Sequence, residues 1–145
     1  MTSSEQVLDS PTGWVADHIR RYLETDGADG HEWRPGVFTL LLTTRGRHSG
    51  KLRRTALIYG RDEDRYLVVA SQGGAPEHPA WFLNLLADPH AEVQVEGERF
   101  TARARPATPE EKPRMWATMA GIWPAYDEYQ TKTDREIPVV VLERA

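Results

Sequence analysis

Strand-like segments follow one another closely in the middle of this chain, and the links between them are too short to hold a helix. Residues 37–44 are nearly continuous in apolar and β-branched side chains, which predicts a strand buried on both faces. Residues 52–60 and 65–71 follow as two further strand-like segments. Parallel neighbours in a sheet need a crossover connection of about a dozen residues or more. The spacing therefore disfavours a doubly wound parallel sheet and predicts an antiparallel meander.

Helices and further strands flank this central part. Helical patterning covers residues 11–26, 79–87, 108–121 and 123–130, and strand patterning returns at residues 91–96, 99–105 and 137–142. The first helix is amphipathic, with Ser10 as a candidate cap, and the polar residues 1–10 are expected to be loose. Thr108 and Glu111 have the spacing of a capping box that starts the third helix.

The predicted fold class is therefore α+β, with about six mostly antiparallel strands in a small barrel, helices at its rim and an N-terminal helix. The 145 residues divide into a polar segment with an amphipathic flap helix, residues 1–30, and a barrel domain, residues 31–145. An amphipathic helix can also lie on a membrane surface. Peripheral membrane contact is thus an alternative to packing of this helix on the barrel.

Composition argues against several classes of function. The chain has no cysteine, which removes disulfides, thiolate catalysis and thiolate metal sites and fits a cytoplasmic protein. No apolar run approaches the ~18 residues of a membrane span, and the N-terminus lacks the pattern of an export signal. The five histidines are scattered without an i, i+4 pair, so no metal site is expected. A net charge of -4 argues against general nucleic-acid binding.

One loop of this acidic chain is strongly basic. Between Arg45 and Arg54 stand five of the 18 lysines and arginines, together with Gly46 and Gly50. Threonine hydroxyls, backbone N–H groups near glycines and cationic side chains are the parts of an anion nest, and arginine matches phosphate oxygens bidentately. The spacing of the glycines is not that of a Walker motif. We therefore expect a phosphate-bearing ligand here, with a solvated basic hairpin as the alternative.

Two further stretches carry residues suited to ligand binding. The strand that ends in Ala70 and Ser71 runs into Gln72, Gly73 and Gly74, where small residues let a planar ring lie on the backbone, although an ordinary turn has the same composition. Trp123, Tyr126 and Tyr129 recur at steps of three, which puts their rings on one helical face. Such a stripe is often core. A tyrosine hydroxyl at its polar edge can instead donate a hydrogen bond or a proton to a substrate.

Four motifs in series, between residues 37 and 142, resemble those of the deazaflavin-dependent nitroreductase family. They read LLTTRGRHSGKLRR, VASQGG, HPAWFLNL and YDEYQTKTDREIPVV. The resemblance implies a split β-barrel similar to the FMN-binding barrels. It also implies use of coenzyme F420, an 8-hydroxy-5-deazaflavin with a ribityl phosphate and an oligoglutamate tail. The implied activity is hydride transfer from the reduced cofactor to a quinone, a nitro compound or an activated enone.

The resemblance also implies roles by position. Cofactor binding falls on Thr44, Arg47, His48, Ser49, Gly50, Lys51, Arg53, Ala70, Ser71, Gln72 and Gly73. Substrate contact falls on Ile58, Trp123, Tyr126 and Tyr129, and the catalytic candidates are Tyr126, Tyr129 and Ser71. Relatives often have lysine where this chain has His48 and Gln72, so we expect weaker anion contacts at these two positions. Some nitro-reducing members have tyrosine at the position of Ile58, and the adjacent Tyr59 points to the opposite face of a strand.

Several alternatives stay open on the sequence. An FMN- or haem-binding barrel of the same type is the runner-up function, and a non-catalytic F420 carrier is a third. The acceptor is a quinone, a nitroaromatic or an enone. The assembly is a monomer or a homodimer.

Overall fold

The computed structural model describes residues 6–145, in which a mixed sheet is surrounded by helices. The elements are β1 (Val7–Asp9), α1 (Gly13–Thr25), β2 (Glu32–Arg34), β3 (Val37–Arg45), β4 (Leu52–Ile58), β5 (Gly60–Asp62), β6 (Arg65–Val69), α2 (Ala80–Ala87), β7 (His90–Val95), β8 (Glu98–Pro106), α3 (Lys112–Ile122), α4 (Ala125–Thr131) and β9 (Val139–Arg144). A 3₁₀ turn, Gln72–Gly74, lies between β6 and α2. The α+β fold class is confirmed. The described residues hold nine strands rather than about six, because β1, β2 and β5 have three residues each and leave no periodic pattern.

The strand order is β1-β4-β3-β7-β8-β9-β6-β5, with β2 paired to β3, and the hydrogen-bonded ladders of the described residues do not close into a full barrel. The predicted antiparallel pairing of β3 with β4 is confirmed. The rest of the predicted meander is wrong, because β6 pairs with β5 and β9 instead of β4. The reason lies at Tyr59, where the segment predicted as one strand divides. Residues 52–58 form β4, which pairs with β3. Only the last predicted residue, Gly60, belongs to β5, which continues to Asp62 and pairs with β6, so consecutive strands of the chain lie towards opposite ends of the sheet.

The N-terminal segment is more ordered than its polar sequence predicts. Residues 1–5 lie outside the described part of the chain, but β1 pairs in parallel with β4. Ser10 N donates to Arg54 O at 2.9 Å, and Arg54 Nε donates to Asp9 Oδ1 at 2.6 Å. The exposed edge of β4 supplies the unpaired backbone groups that order this segment.

Side chains alternate between two apolar layers along the central strands, as the pleat of a strand requires. Tyr66 and Val68 of β6 point into one cluster, together with Leu40 of β3 and Phe82 of α2. Neighbouring residues of β6 and β9 point the other way, to Met115 and the rest of a cluster closed by α3 and α4. The strand predicted over residues 37–44 is buried on both faces, as expected.

The N-terminal helix α1 packs on the outside of β3 and β4. Ile19 and Tyr22 are fully buried against Leu41. The cap position is Thr12 rather than Ser10, with no side-chain cap bond. At the third helix the predicted capping box is present: Glu111 N donates to Thr108 Oγ1 at 3.2 Å, and Thr108 N donates to Glu111 Oε1 at 3.0 Å. None of the helices in residues 6–145 is long and apolar enough to cross a membrane.

Candidate functional site

The basic loop folds into a tight hairpin whose backbone N–H groups remain available. Gly46 N donates to Lys51 O and Gly50 N donates to Gly46 O, each at 2.8 Å. Gly50 has a φ of 71°, and a Cβ on Gly46 would lie 2.8 Å from Ser49 Oγ, so both positions favour glycine. The N–H groups of His48 and Ser49 have no acceptor among the described residues. Such consecutive free N–H groups form an anion-binding concavity.

A buried asparagine anchors this loop. Asn84 lies on α2 and is 4% exposed, and its Oδ1 accepts from both the backbone N and Nη1 of Arg47 at 3.1 Å. Its Nδ2 donates to Thr44 Oγ1 at 3.1 Å. Asn84 was not among the predicted site residues. The only indication was a polar residue in the otherwise apolar helix AWFLNLLA.

The loop forms one wall of a cavity of about 510 Å³, the basic cavity. Six of the predicted cofactor-binding residues line it: Thr44, Arg47, His48, Ser49, Arg53 and Gln72. The predicted Gly50 and Lys51 line neither this cavity nor the next one described. Among the lining arginines, Arg47 is held by Asn84 and Arg54 is paired with Asp9. The guanidinium of Arg53 forms no hydrogen bond or ion pair with residues 6–145 and is free to meet a ligand.

A second space of about 590 Å³, the aromatic cavity, adjoins the first. The predicted residues that line it are Ile58, Ser71, Gln72, Gly73, Trp123, Tyr126 and Tyr129. Ala70 is fully buried and does not reach it. Ile58 faces the cavity, whereas the adjacent Tyr59 points away and its hydroxyl lies 2.8 Å from His31 Nε2.

Two tyrosines of α4 present hydroxyl groups to the aromatic cavity. The rings of Tyr126 and Tyr129 meet edge to face with centroids 6.1 Å apart, and Tyr126 is only 5% exposed. Neither hydroxyl has a hydrogen-bond partner in residues 6–145. Burial, and then proximity to Tyr129, raises the pKa of Tyr126, so its hydroxyl stays protonated and can donate. Trp116 fixes this helix, because its Nε1 donates to Asp127 Oδ1 at 2.7 Å.

The 3₁₀ turn that follows β6 forms another part of the wall of this cavity. Gln72, Gly73 and Gly74 all have positive φ, at 45°, 64° and 83°. A Cβ on Gly74 would lie 2.6 Å from Tyr129 O, so the turn lies directly on the backbone of α4. The hydroxyl of Ser71, which is 8% exposed, has no hydrogen-bond partner in the described part of the chain.

A row of three tryptophans borders the same cavity. This row was not predicted from the sequence. Trp33 of β2 lies between Trp123 and Trp14, with ring centroids at 5.4 and 6.4 Å. All three line the aromatic cavity, and Trp14 is 64% exposed. Trp33 was missed because a three-residue strand gives no periodicity.

The two cavities share the wall residues Ser10, Thr55, Gln72, Pro79 and Trp81. They therefore form one elongated site, cationic at one end and aromatic at the other. This donor set fits a long ligand with an anionic group at the basic end and a planar ring at the aromatic end. No group of three or more potential ligands (His, Cys, Asp or Glu) within residues 6–145 is arranged to hold a metal ion.

Comparison with known proteins gives a consistent result. Residues 14–144 match the model of the F420H(2)-dependent quinone reductase family. A Mycobacterium tuberculosis protein named F420H(2)-dependent quinone reductase is 41% identical over 130 residues, covering 88% of this chain and 87% of that protein. A solved structure of an F420-H2 dependent reductase is 40% identical, with a TM-score of 0.67 over 72% of this chain and 93% of its own. Another, described as a domain-swapped dimer, is 40% identical, with a TM-score of 0.70 over 92% of this chain and 100% of its own.

Proposed function

This chain belongs to the F420H(2)-dependent quinone reductase family, and we propose that it binds coenzyme F420 across its two adjoining cavities and reduces a quinone there. The observation that carries the proposal is the shared wall, which joins a cationic space to an aromatic one. When bound, the reduced cofactor supplies a hydride; the protein supplies orientation and electrostatics.

The basic cavity suits the phosphate and the acidic tail of the cofactor. His48, Ser49 and Arg53 line it, and the backbone N–H groups of the first two and the guanidinium of the third have no partner in residues 6–145. Arg47, fixed by Asn84, adds a second cation in a set position. Charge-assisted hydrogen bonds to phosphate are each worth about 1.5–3 kcal/mol. We assign the phosphate to this end of the site on these grounds.

The aromatic cavity suits the planar ring and the acceptor. We propose that the ring lies on the backbone of Ser71 and Gly73, and that the quinone lies between it and the helix α4. Negative charge arrives on a quinone oxygen as it is reduced. The hydroxyls of Tyr126 and Tyr129 have no hydrogen-bond partner in residues 6–145 and can donate to that oxygen, with Ser71 as a third candidate donor. Ile58 and Trp123 would then contact the acceptor.

Exclusion of water falls to the residues that cover the site. The predicted flap segment spans residues 1–30, of which residues 1–5 lie outside the described part of the chain. We propose that residues 6–30 act as a cover over the barrel formed by residues 31–145. Ser10 and Trp14 line the site, and Trp14 continues the tryptophan row through Trp33 to Trp123. Closure against water strengthens the hydrogen bonds made to the acceptor.

Two measurements test this function. Oxidised F420 is titrated into the purified protein while tryptophan fluorescence is followed, and F420H₂ is then mixed with menadione while the visible absorbance of oxidised cofactor is recorded. We expect quenching at micromolar F420 and menadione-dependent oxidation. Absence of binding at micromolar F420 contradicts the proposal. Binding without oxidation by menadione, a nitroaromatic or an enone supports the carrier alternative, and a yellow or red protein from expression supports FMN or haem.

We also propose a homodimeric assembly and a cytoplasmic location. The domain-swapped dimer formed by a 40% identical relative supports the first, and the absence of cysteine fits the second. The exposed Trp14 is the residue through which α1 could contact a membrane surface. Light scattering of the purified chain and its co-sedimentation with anionic vesicles test these points.

A further inference from the structure

One arginine outside both cavities holds the wall on which the ring is proposed to lie. Arg135, in the link between α4 and β9, donates from Nε to Ala75 O at 2.9 Å and from Nη2 to Ser71 O at 2.7 Å. Its Nη1 donates to Ala70 O at 3.2 Å and to His78 Nδ1 at 3.0 Å. One guanidinium thus joins four points of residues 70–78. Gln130 secures the arginine in turn, because its Nε2 donates to Arg135 O at 2.8 Å.

The charge of Arg135 is not neutralised locally. Its acceptors are three carbonyls and a ring nitrogen, and no carboxylate of residues 6–145 pairs with it. By contrast, Arg105 meets both Glu111 and Glu143. Arg135 lines neither cavity, so it lies behind the wall formed by Ser71, Gln72 and Gly73.

The geometry of the trans peptide determines which backbone groups of this wall point away from Arg135. No described peptide bond is cis, and the C=O and N–H of a trans peptide point in opposite directions. The carbonyls of Ala70 and Ser71 point to the guanidinium, so the N–H groups of Ser71 and Gln72 point away from it. Neither N–H has an acceptor among the described residues, although both residues line the aromatic cavity.

We infer that Arg135 is a positioning residue for the cofactor: it orients the N–H groups of Ser71 and Gln72 toward the ring and adds its own positive charge behind them. The inference rests on the proposed function. The pyrimidine edge of a deazaflavin carries two carbonyl oxygens, and ionisation of its 8-hydroxyl spreads negative charge onto them. Two backbone donors backed by a cation therefore favour the ionised ring. His78, whose Nδ1 accepts from Arg135, completes the support of the loop.

The test uses Arg135→Gln, Arg135→Lys and, as a matched control, Arg105→Gln, which removes an arginine that lines neither cavity. The dissociation constant of F420 is measured by fluorescence, and the ionisation of the bound 8-hydroxyl by the pH dependence of its visible absorbance. In Arg135→Gln we expect binding weaker by about tenfold and an ionisation midpoint about one pH unit higher than in the native protein. Arg135→Lys keeps the charge, so its midpoint stays near the native one while its binding weakens. Arg105→Gln leaves both quantities unchanged.

A native dissociation constant and midpoint in Arg135→Gln would overturn the inference. If Arg135→Gln does not fold, a native dissociation constant in Arg135→Lys overturns the positioning role, since lysine cannot reach four acceptors in the guanidinium geometry. Failure of the native protein itself to bind F420 contradicts the proposed function instead, so the two failures are distinguishable.

Discussion

Asn84 Oδ1 accepts two hydrogen bonds from Arg47, one from its backbone N and one from its Nη1, each at 3.1 Å. This bifurcated contact joins the middle of α2 to the basic loop and fixes both the path of the loop and the direction of one of its cations. The phosphate end of the proposed site therefore depends on a residue of the apolar helix as much as on the basic residues themselves.

Asn84→Leu should loosen this end of the site. The change removes the acceptor shared by two donors of Arg47 and leaves the buried hydroxyl of Thr44 without its donor, which costs about 1–3 kcal/mol of stability. We expect F420 to bind about tenfold more weakly, as measured by fluorescence titration. Leu86→Ala on the same helix is the control, because Leu86 is 57% exposed and should leave binding unchanged. Native affinity in Asn84→Leu would mean that the loop holds its conformation without this contact.

Gly74→Ala should disrupt the packing of the 3₁₀ turn Gln72–Gly74 on α4. The φ of 83° strains any residue with a Cβ, and that Cβ would also lie 2.6 Å from Tyr129 O. We expect a loss of about 1–3 kcal/mol in the free energy of unfolding, together with weaker F420 binding. Gly73→Ala separates the two causes, because its φ of 64° is similar but nothing lies within 4 Å of its Cβ. Equal losses of unfolding free energy in the two variants would exclude a stabilising role for the contact with α4.

Tyr126→Phe should lower the rate with a quinone while leaving cofactor affinity near the native value. The ring and its packing remain, and only the donor to the acceptor oxygen is lost. A hydrogen bond to a group that gains charge is worth about 1.5–3 kcal/mol, or about 10- to 100-fold in kcat/KM for menadione. Tyr59→Phe provides the comparison, since the Tyr59 hydroxyl contacts His31 outside the cavity. An unchanged kcat/KM in Tyr126→Phe would show that the Tyr126 hydroxyl takes no part in the reaction.

Lowering the pH should destabilise the fold, because it protonates the carboxylate of Glu111. Hydrogen bonds from Arg105 and from Thr108 N lower its pKa from 4.5 to about 2. A carboxyl whose pKa is lowered on folding stabilises the native state above pH 4.5, and this contribution is lost as the pH falls towards 2. Urea unfolding of the native protein and of Glu111→Gln should therefore differ at pH 7 and converge near pH 2. Glutamine keeps the capping geometry. If the difference in unfolding free energy between the two proteins did not change with pH, the stabilisation would not come from the charge of Glu111.

The sequence predicted those parts of the fold and site that depend on local patterns. Charge and glycine spacing located the basic loop, and the spacing of Trp123, Tyr126 and Tyr129 located the aromatic helix face. The turn at Thr108 followed from its capping residues. These features are determined by neighbours within a few positions, so they leave a readable pattern.

The missed parts depend on contacts between residues far apart in the chain. β6 pairs with β9, about 70 residues away, and that choice depends on the bend at Tyr59. Asn84 and Arg135 act through buried carbonyls and amides that no periodicity reveals, and Arg135 stands in a polar stretch that resembles any surface loop. Even β1 is ordered only because the edge of β4 is open to it.

The assignment of the basic cavity to the phosphate is tested by comparing F420 with its chromophore lacking the phosphate and glutamate tail, in equilibrium titrations of the native protein and of Arg53→Gln. The native protein should bind F420 at least about tenfold more tightly than the truncated chromophore, because a phosphate contact is worth about 1.5–3 kcal/mol. Arg53→Gln should reduce this difference by about tenfold without changing the affinity for the truncated chromophore, and Arg61→Gln, outside both cavities, should change neither. Equal binding of the two ligands by the native protein would contradict the assignment of the basic cavity to the phosphate.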